Sequence, residues 1–246
     1  MISVYALCTG YIELDRASML SDLEPGQPWT VPVTSFLVDH PRGRLLFDTG
    51  VHCRARLDPV GRLGAERVKR LTVKSNEGDD VVPQLARLGL TPADVRYVAN
   101  SHLHFDHCGG NEFFPRATFL VQRPELEAAR RPGFVPSYSP SPIDFDHALD
   151  YRMLDGEHDV FGDGAVILIP TYGHTPATSR CGSAPASTRR WSAPPTPATR
   201  ATTWTATCCR RSSGMRRSCA TRWRRCASCA IRPGPRCSTA TTPRSG

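Results

Sequence analysis

The chain has 246 residues, 39% of them hydrophobic, and a formal net charge of +8, enough length to bury one sizeable core as one domain or two small ones. No run of about 18 apolar residues exists to span a membrane, and the start MISVYALCTG lacks a basic n-region and a long apolar stretch, so a soluble cytoplasmic protein is the expectation. The basic average conceals a seam, because residues 1–176 hold 17 Lys+Arg and 23 Asp+Glu, a net of −6, whereas 177–246 hold 14 Arg and no acid, a net of +14.

In chain order, SFLVDH (35–40), the turn PRGR and LLFDTG (45–50) predict a β-hairpin. DDVVPQLARLGL (79–90) carries Val82, Leu85 and Leu88 at helical spacing and ends at Gly89, and TPADV (91–95) is a turn with N-capping character. VRYVANSH (95–102) reads as a strand running into a loop, and ATFLVQ (117–122) and AVILIPT (165–171) as two buried strands. Strands interleaved with helical patterns imply an α/β domain whose chemistry lies at strand ends.

That chemistry concentrates in NSHLHFDHCGG (100–110), where His102, His104, Asp106 and His107 fall within six residues. A His-x-His pair leaving a strand projects both imidazoles toward one point, because alternate side chains share a face. Asp106 and His107 follow in a tight turn that Gly109 and Gly110 allow the backbone to make. Imidazole with carboxylate suits zinc, or iron or manganese where oxygen ligands are richer. His174 alone would be weak evidence, but it too leaves a buried-type strand in a Gly-bounded turn. His40, His52, His147 and His158 are read as surface or structural histidines.

His-x-His-x-Asp-His resembles the signature of the metallo-β-lactamase-fold hydrolases, and FDTG (47–50) and YGHTP (172–176) stand where that superfamily has equivalents. Within it, ALCTGYIELD, DFDHALDY and LDGEHDVFGDG look like N-acyl-homoserine lactonases, and the similarity covers about 1–176. The resemblance implies an αββα sandwich, whose C-terminal part the altered composition after Pro176 would leave incomplete or disordered. It implies His102, His104 and His174 on one divalent metal ion and Asp106 with His107 on a second, zinc first with iron, manganese or cobalt as alternatives. Asp48 would be a buried carboxylate orienting the site, and Asp106 would also orient the nucleophile. Two such ions acidify a water to hydroxide near neutral pH and polarise the ester carbonyl it attacks. The implied partner is a small lactone or ester. Rivals are a glyoxalase-II-like thioesterase on the same scaffold and a nucleic-acid-binding protein with a basic tail.

Residues 177–246 contain no acid, histidine, leucine or valine, but 7 of the 10 cysteines. A disordered basic arm binding nucleic acid is one reading, since arginines favour phosphate and low hydrophobicity favours disorder. CCRRSS and CASCA lack zinc-finger spacing, and an even cysteine count implies disulfides only in a short secreted chain. Translation one base out of frame explains more. Read one base earlier, each Ala codon (GCn) becomes nGC and each Thr codon (ACn) becomes nAC. ATSRCGS (177–183) is then compatible with Gly-His-Val-Ser-Leu-Arg-Val, and Trp204-Thr205 forces an aspartate in the slot of Thr205. An aspartate in the slot of Thr196, 22 residues after His174, and a histidine in that of Thr241, 45 further on, match the lactonase-like ligand spacing. A tyrosine in the slot of Thr199 matches the residue that meets the substrate carbonyl. The chain as written lacks those groups, so it is expected to be poorly folded or inactive, and the nucleic-acid partner to be an artefact of the tail.

Overall fold

The computed structural model describes residues 1–20, 23–131 and 140–183. In chain order the elements are β1 (Ser3–Asp15), β2 (Pro28–His40) and β3 (Gly43–Phe47), then three short helices, α1 (Arg54–Leu57), α2 (Pro59–Leu63) and α3 (Ala65–Val68). There follow β4 (Leu71–Lys74), α4 (Val81–Arg87), β5 (Tyr97–Ala99), α5 (Phe105–Cys108), β6 (Thr118–Gln122) and α6 (Arg123–Arg130). Last come α7 (Pro142–Phe145), β7 (Asp150–Leu154), β8 (His158–Asp159), β9 (Ile167–Pro170) and β10 (Ser179–Gly182).

Seven strands form one mixed sheet in the order β4-β1-β2-β3-β5-β6-β7, and β10-β9-β8 form a second. The expected hairpin is present, with His40 paired to Gly43 and Phe36 to Phe47. Strands β3, β5, β6 and β7 run parallel, so the carboxyl ends of β3, β5 and β6 open on one edge of the sheet. Clefts for ligands form at such edges.

Period-two alternation builds the layers. Val38, Leu45, Phe47, Ala99 and Leu120 pack against Leu168 of the second sheet and Phe161 and Val166 of the β8–β9 loop. Their neighbours Leu37, Leu46, Val98 and Phe119 face the opposite way, against Val81 and Leu85 of α4. At about 1.5–3 kcal/mol for each large side chain taken fully from water, these two interfaces are the main stabilising term. Three layers of the expected αββα sandwich are thus present: helix, seven-stranded sheet, three-stranded sheet. A helical layer outside the second sheet would lie in residues beyond 183, outside the described residues.

Three expectations shift. The inward face of α4 is Val81 and Leu85, whereas Leu88 is 39% exposed; the helix ends at Arg87, one residue before Leu88 could complete the stripe. Strand β1 goes unread in the sequence because a bulge between Cys8 and Gly10 breaks its alternation, placing Leu7 and Ile12 both inside. Order also extends past the composition seam. Ser179–Gly182 pairs with β9, and Ser179 N donates to Ser101 O at 2.7 Å. Backbone hydrogen bonds form whatever the side chains, so a strand can form there without apolar residues. The rest of the tail expectation, 184–246, lies outside the described residues.

Candidate metal centre

The site lies where β3, β5 and β6 end. Beyond Phe47, Asp48 turns the chain with φ 63°, the one positive value among described residues other than glycine. Such strain costs on the order of 1–3 kcal/mol. Its carboxylate, 1% exposed, accepts from Ser101 N at 2.6 Å, Ser101 Oγ at 2.8 Å and His107 Nδ1 at 2.8 Å. Hydrogen bonds to a charged group are worth about 1.5–3 kcal/mol each, so the contacts outweigh the strain.

Beyond β5, His102 and His104 leave the sheet with the buried Leu103 between them. His102 Nε2 and His104 Nδ1 are 3.0 Å apart. From the β9–β10 loop, His174 brings its Nε2 to 3.1 Å from the same His104 Nδ1. One nitrogen from each ring lies within 4.8 Å of the others. Ligands about 2.0–2.1 Å from one tetrahedral zinc stand roughly 3.4 Å apart, so this trio fits a single ion. Burial first, then the neighbouring imidazoles, pushes the His102 pKa well below its usual value. Burial also brings His104 down to about 3, against the pull of Asp106. Both rings are therefore neutral, the form a metal requires.

Asp106 and His107, expected in a tight turn, lie on the single helical turn α5 (Phe105–Cys108). Asp106 Oδ2 and His107 Nε2 are 3.4 Å apart, again a separation two ligands of one ion adopt. Burial opposes charge on His107, yet the Asp106 and Asp48 carboxylates outweigh it and raise its pKa to about 10. His107 must shed that proton to act as a ligand. Burial also works against the charge of Asp106, but His107 and His104 hold its carboxyl below the usual range.

Gly109 and Gly110 serve differently from the turn-forming role expected of them. Their φ values, −59° and −95°, are open to any residue. What excludes a side chain is space. A Cβ on Gly109 would stand 2.7 Å from His52 N and 2.8 Å from Gly50 O, and one on Gly110 would stand 2.8 Å from Thr49 O. These obstacles are backbone and cannot swing aside. Gly109→Ala is expected to cost about 1–3 kcal/mol through overpacking, read as a lower melting temperature by circular dichroism. An unchanged melting temperature would refute the steric account.

Sequence reasoning passed over Ser101 and Glu125. Ser101 Oγ lies 3.0 Å from His102 Nδ1 and 2.8 Å from Asp48 Oδ2. A hydroxyl has one proton to give. If it goes to Asp48, His102 Nδ1–H donates to Ser101, while His107 Nδ1–H donates to Asp48. Both histidines then present Nε2 outward, the tautomer control that metal sites use. A serine directly before the first histidine was the available signal; Glu125, 21 residues beyond His104, offered none. Two of the histidines read as surface or structural, His40 and His52, are buried and paired. His40 stacks on Phe161 at 4.1 Å and meets Asp163 at 3.0 Å, and His52 meets Glu112 at 2.7 Å.

The profile of the Metallo-beta-lactamase superfamily matches residues 28–184. This chain belongs to that superfamily. It is 34% identical over 181 residues to the N-acyl homoserine lactonase AttM of Azorhizobium caulinodans, covering 71% of the chain and 68% of that protein. It is also 34% identical over 174 residues to the N-acyl homoserine lactonase AiiA of Bacillus thuringiensis, covering 70% and 66%. Among solved structures, a mutant of that AiiA with N-decanoyl-L-homoserine bound at its active site superposes with TM-score 0.66 at 31% identity, covering 73% of this chain and 69% of that one. The dizinc quorum-quenching lactonase AidC shares the fold at TM-score 0.52 and 16% identity, covering 76% and 68%. With lactonase relatives and this histidine site, the superfamily member is a metal-dependent hydrolase of lactonase type. No helix among the described residues is long and apolar enough to cross a membrane.

Proposed function

We propose that this site opens the lactone ring of N-acyl homoserine lactones, with His102, His104 and His174 on one divalent ion and Asp106 with His107 on a second, zinc suiting the donor set. The convergence of three ring nitrogens within 4.8 Å, from loops of two different sheets, carries this reading, and the lactonase relatives support the substrate class. Bound divalent ions supply an acidified water and a polarised ester carbonyl. The chain's own residues position everything else. Asp48 and Ser101 set the ring tautomers, and Asp106, its side chain 22% exposed beside the histidines, orients the attacking water. Water adds across the ester: the acyl carbon keeps the new oxygen as carboxylate, the ring oxygen leaves as the alcohol, and one proton is released.

Residues 177–246 read best as the right gene in the wrong frame. In β10, Ser179 Oγ and Arg180 Nε are buried without a hydrogen-bond partner, and such groups cost about 1–3 kcal/mol each. The neighbouring frame is compatible with valine in the slot of Ser179 and leucine in that of Cys181, which packs on the core between the sheets. The family match also stops at 184, just past the seam. The chain as written then lacks a bridging carboxylate and a final histidine. The nucleotide sequence across codons 170–185, with intact-protein mass, tests this, and an uninterrupted frame there removes the idea.

For the substrate, proton release and product mass from the frame-corrected chain on N-hexanoyl-homoserine lactone, compared with a glutathione thioester, decide between lactonase and thioesterase. Turnover of the thioester alone overturns the lactone assignment. Salt-sensitive DNA binding lost on deleting 177–246 would favour a basic arm instead.

A further inference from the structure

Glu125 belongs to the first turn of α6, immediately beyond β6, and is fully buried. One of its oxygens, Oε1, accepts from Leu103 N at 3.1 Å. The other, Oε2, accepts from Thr175 Oγ1 at 2.8 Å and from Ala177 N at 3.0 Å. Leu103 stands between His102 and His104, and Thr175 directly follows His174. A single carboxylate therefore joins the segment bearing two of the histidines to the loop bearing the third, although these leave different sheets. A second tie is the backbone bond from Ser179 N to Ser101 O.

We infer that Glu125 is a positioning residue for the metal centre: it sets the distance of His174 from His102 and His104 and so the affinity of the three-histidine site. The inference rests on the proposed role of that trio as metal ligands. The chemistry requires a carboxylate. Two N–H groups and a hydroxyl converge on it, and only an acceptor with lone pairs on both oxygens serves all three. A glutamine of the same shape must turn its NH2 toward either Leu103 N or Ala177 N. Donor then faces donor, and one segment is released. Thr175→Val, nearly isosteric, deletes a single donor and leaves both backbone bonds.

The test uses the full chain, stripped with a chelator, and reads Zn2+ affinity by competition with a chromophoric chelator and the visible absorption of the Co2+-loaded protein. Removing groups that orient metal ligands lowers affinity about 10- to 100-fold, and Glu125→Gln is expected in that range, with an altered Co2+ spectrum. Thr175→Val is expected to weaken binding in the same direction by less. Leu85→Ala, on the far face of the large sheet, is the control, lowering the melting temperature without moving the affinity or the spectrum. Glu125→Gln binding Zn2+ as tightly as the parent overturns the inference, as does Leu85→Ala weakening it equally. If Glu125→Gln does not fold, an unchanged affinity in Thr175→Val overturns it. A parent that binds no Zn2+ overturns the metal reading itself. Weakened Zn2+ binding leaves Glu125's role standing whatever the substrate proves to be, because affinity is read without turnover.

Discussion

Replacing His104 by alanine is expected to abolish metal binding at the three-histidine site of the full chain, lowering its Zn2+ affinity by more than about a hundredfold, the upper end of the loss from removing a group that merely orients a ligand. His104 Nδ1 is the node of the trio, 3.0 Å from His102 Nε2 and 3.1 Å from His174 Nε2. Without it the two remaining nitrogens face each other across an unfilled corner, and no other described side chain forms a three-ligand group there. The same change should remove stabilisation by metal. An ion at about 100 times its Kd raises stability by about 2.7 kcal/mol, so added Zn2+ should raise the melting temperature of the parent but not of His104→Ala. His158→Ala, in the short strand β8, is the matched control and should keep both responses. Equal Zn2+ affinity in parent and His104→Ala would mean that the trio is not the metal site.

Inserting one nucleotide between codons 176 and 177 is expected to raise lactone turnover by about a thousandfold or more, some 4 kcal/mol of barrier at 1.36 kcal/mol per tenfold. The restored frame is compatible with an aspartate in the slot of Thr196 and a histidine in that of Thr241, which would complete the second ion's ligands, and with a tyrosine in that of Thr199. It also exchanges Ser179 and Cys181 for residues compatible with valine and leucine, whose side chains fill the face of β10 turned to the core. Stability and activity should therefore rise together, measured by thermal melting and kcat/KM on N-hexanoyl-homoserine lactone. A corrected chain no more active than the present one would refute the frame reading. Substantial turnover by the present chain would do the same from the other side.

Much of this protein is legible from local sequence. The 35–50 hairpin is so because both strands and the turn between them lie within sixteen residues. The HLHFDH run is so because its ligand types are contiguous and its geometry needs only a strand end and one helical turn. His174 is readable as a candidate because its loop repeats the pattern of a buried strand running into a Gly-bounded turn. Where the sequence misleads, a nonlocal cause is identifiable. In β1 a bulge shifts the alternation, in α4 the inward face is chosen by Leu37, Leu46 and Val98 across the interface, and in β10 the partner strand's backbone makes a strand from residues with no apolar pattern.

Residue chemistry alone determines that this chain can hold a metal ion, because imidazoles and a carboxylate at that spacing have few other uses. It also determines that residues 177–246 differ in kind, because the loss of every acid, histidine, leucine and valine is visible without any fold. Only the tertiary structure decides that His174 meets His102 and His104, since 70 residues separate it from His104 and no periodicity spans two sheets. It likewise decides the work of Asp48, Ser101 and Glu125. Polar residues of these types are unremarkable in a sequence, and they acquire their roles when burial removes water and leaves their donors and acceptors to pair with one another.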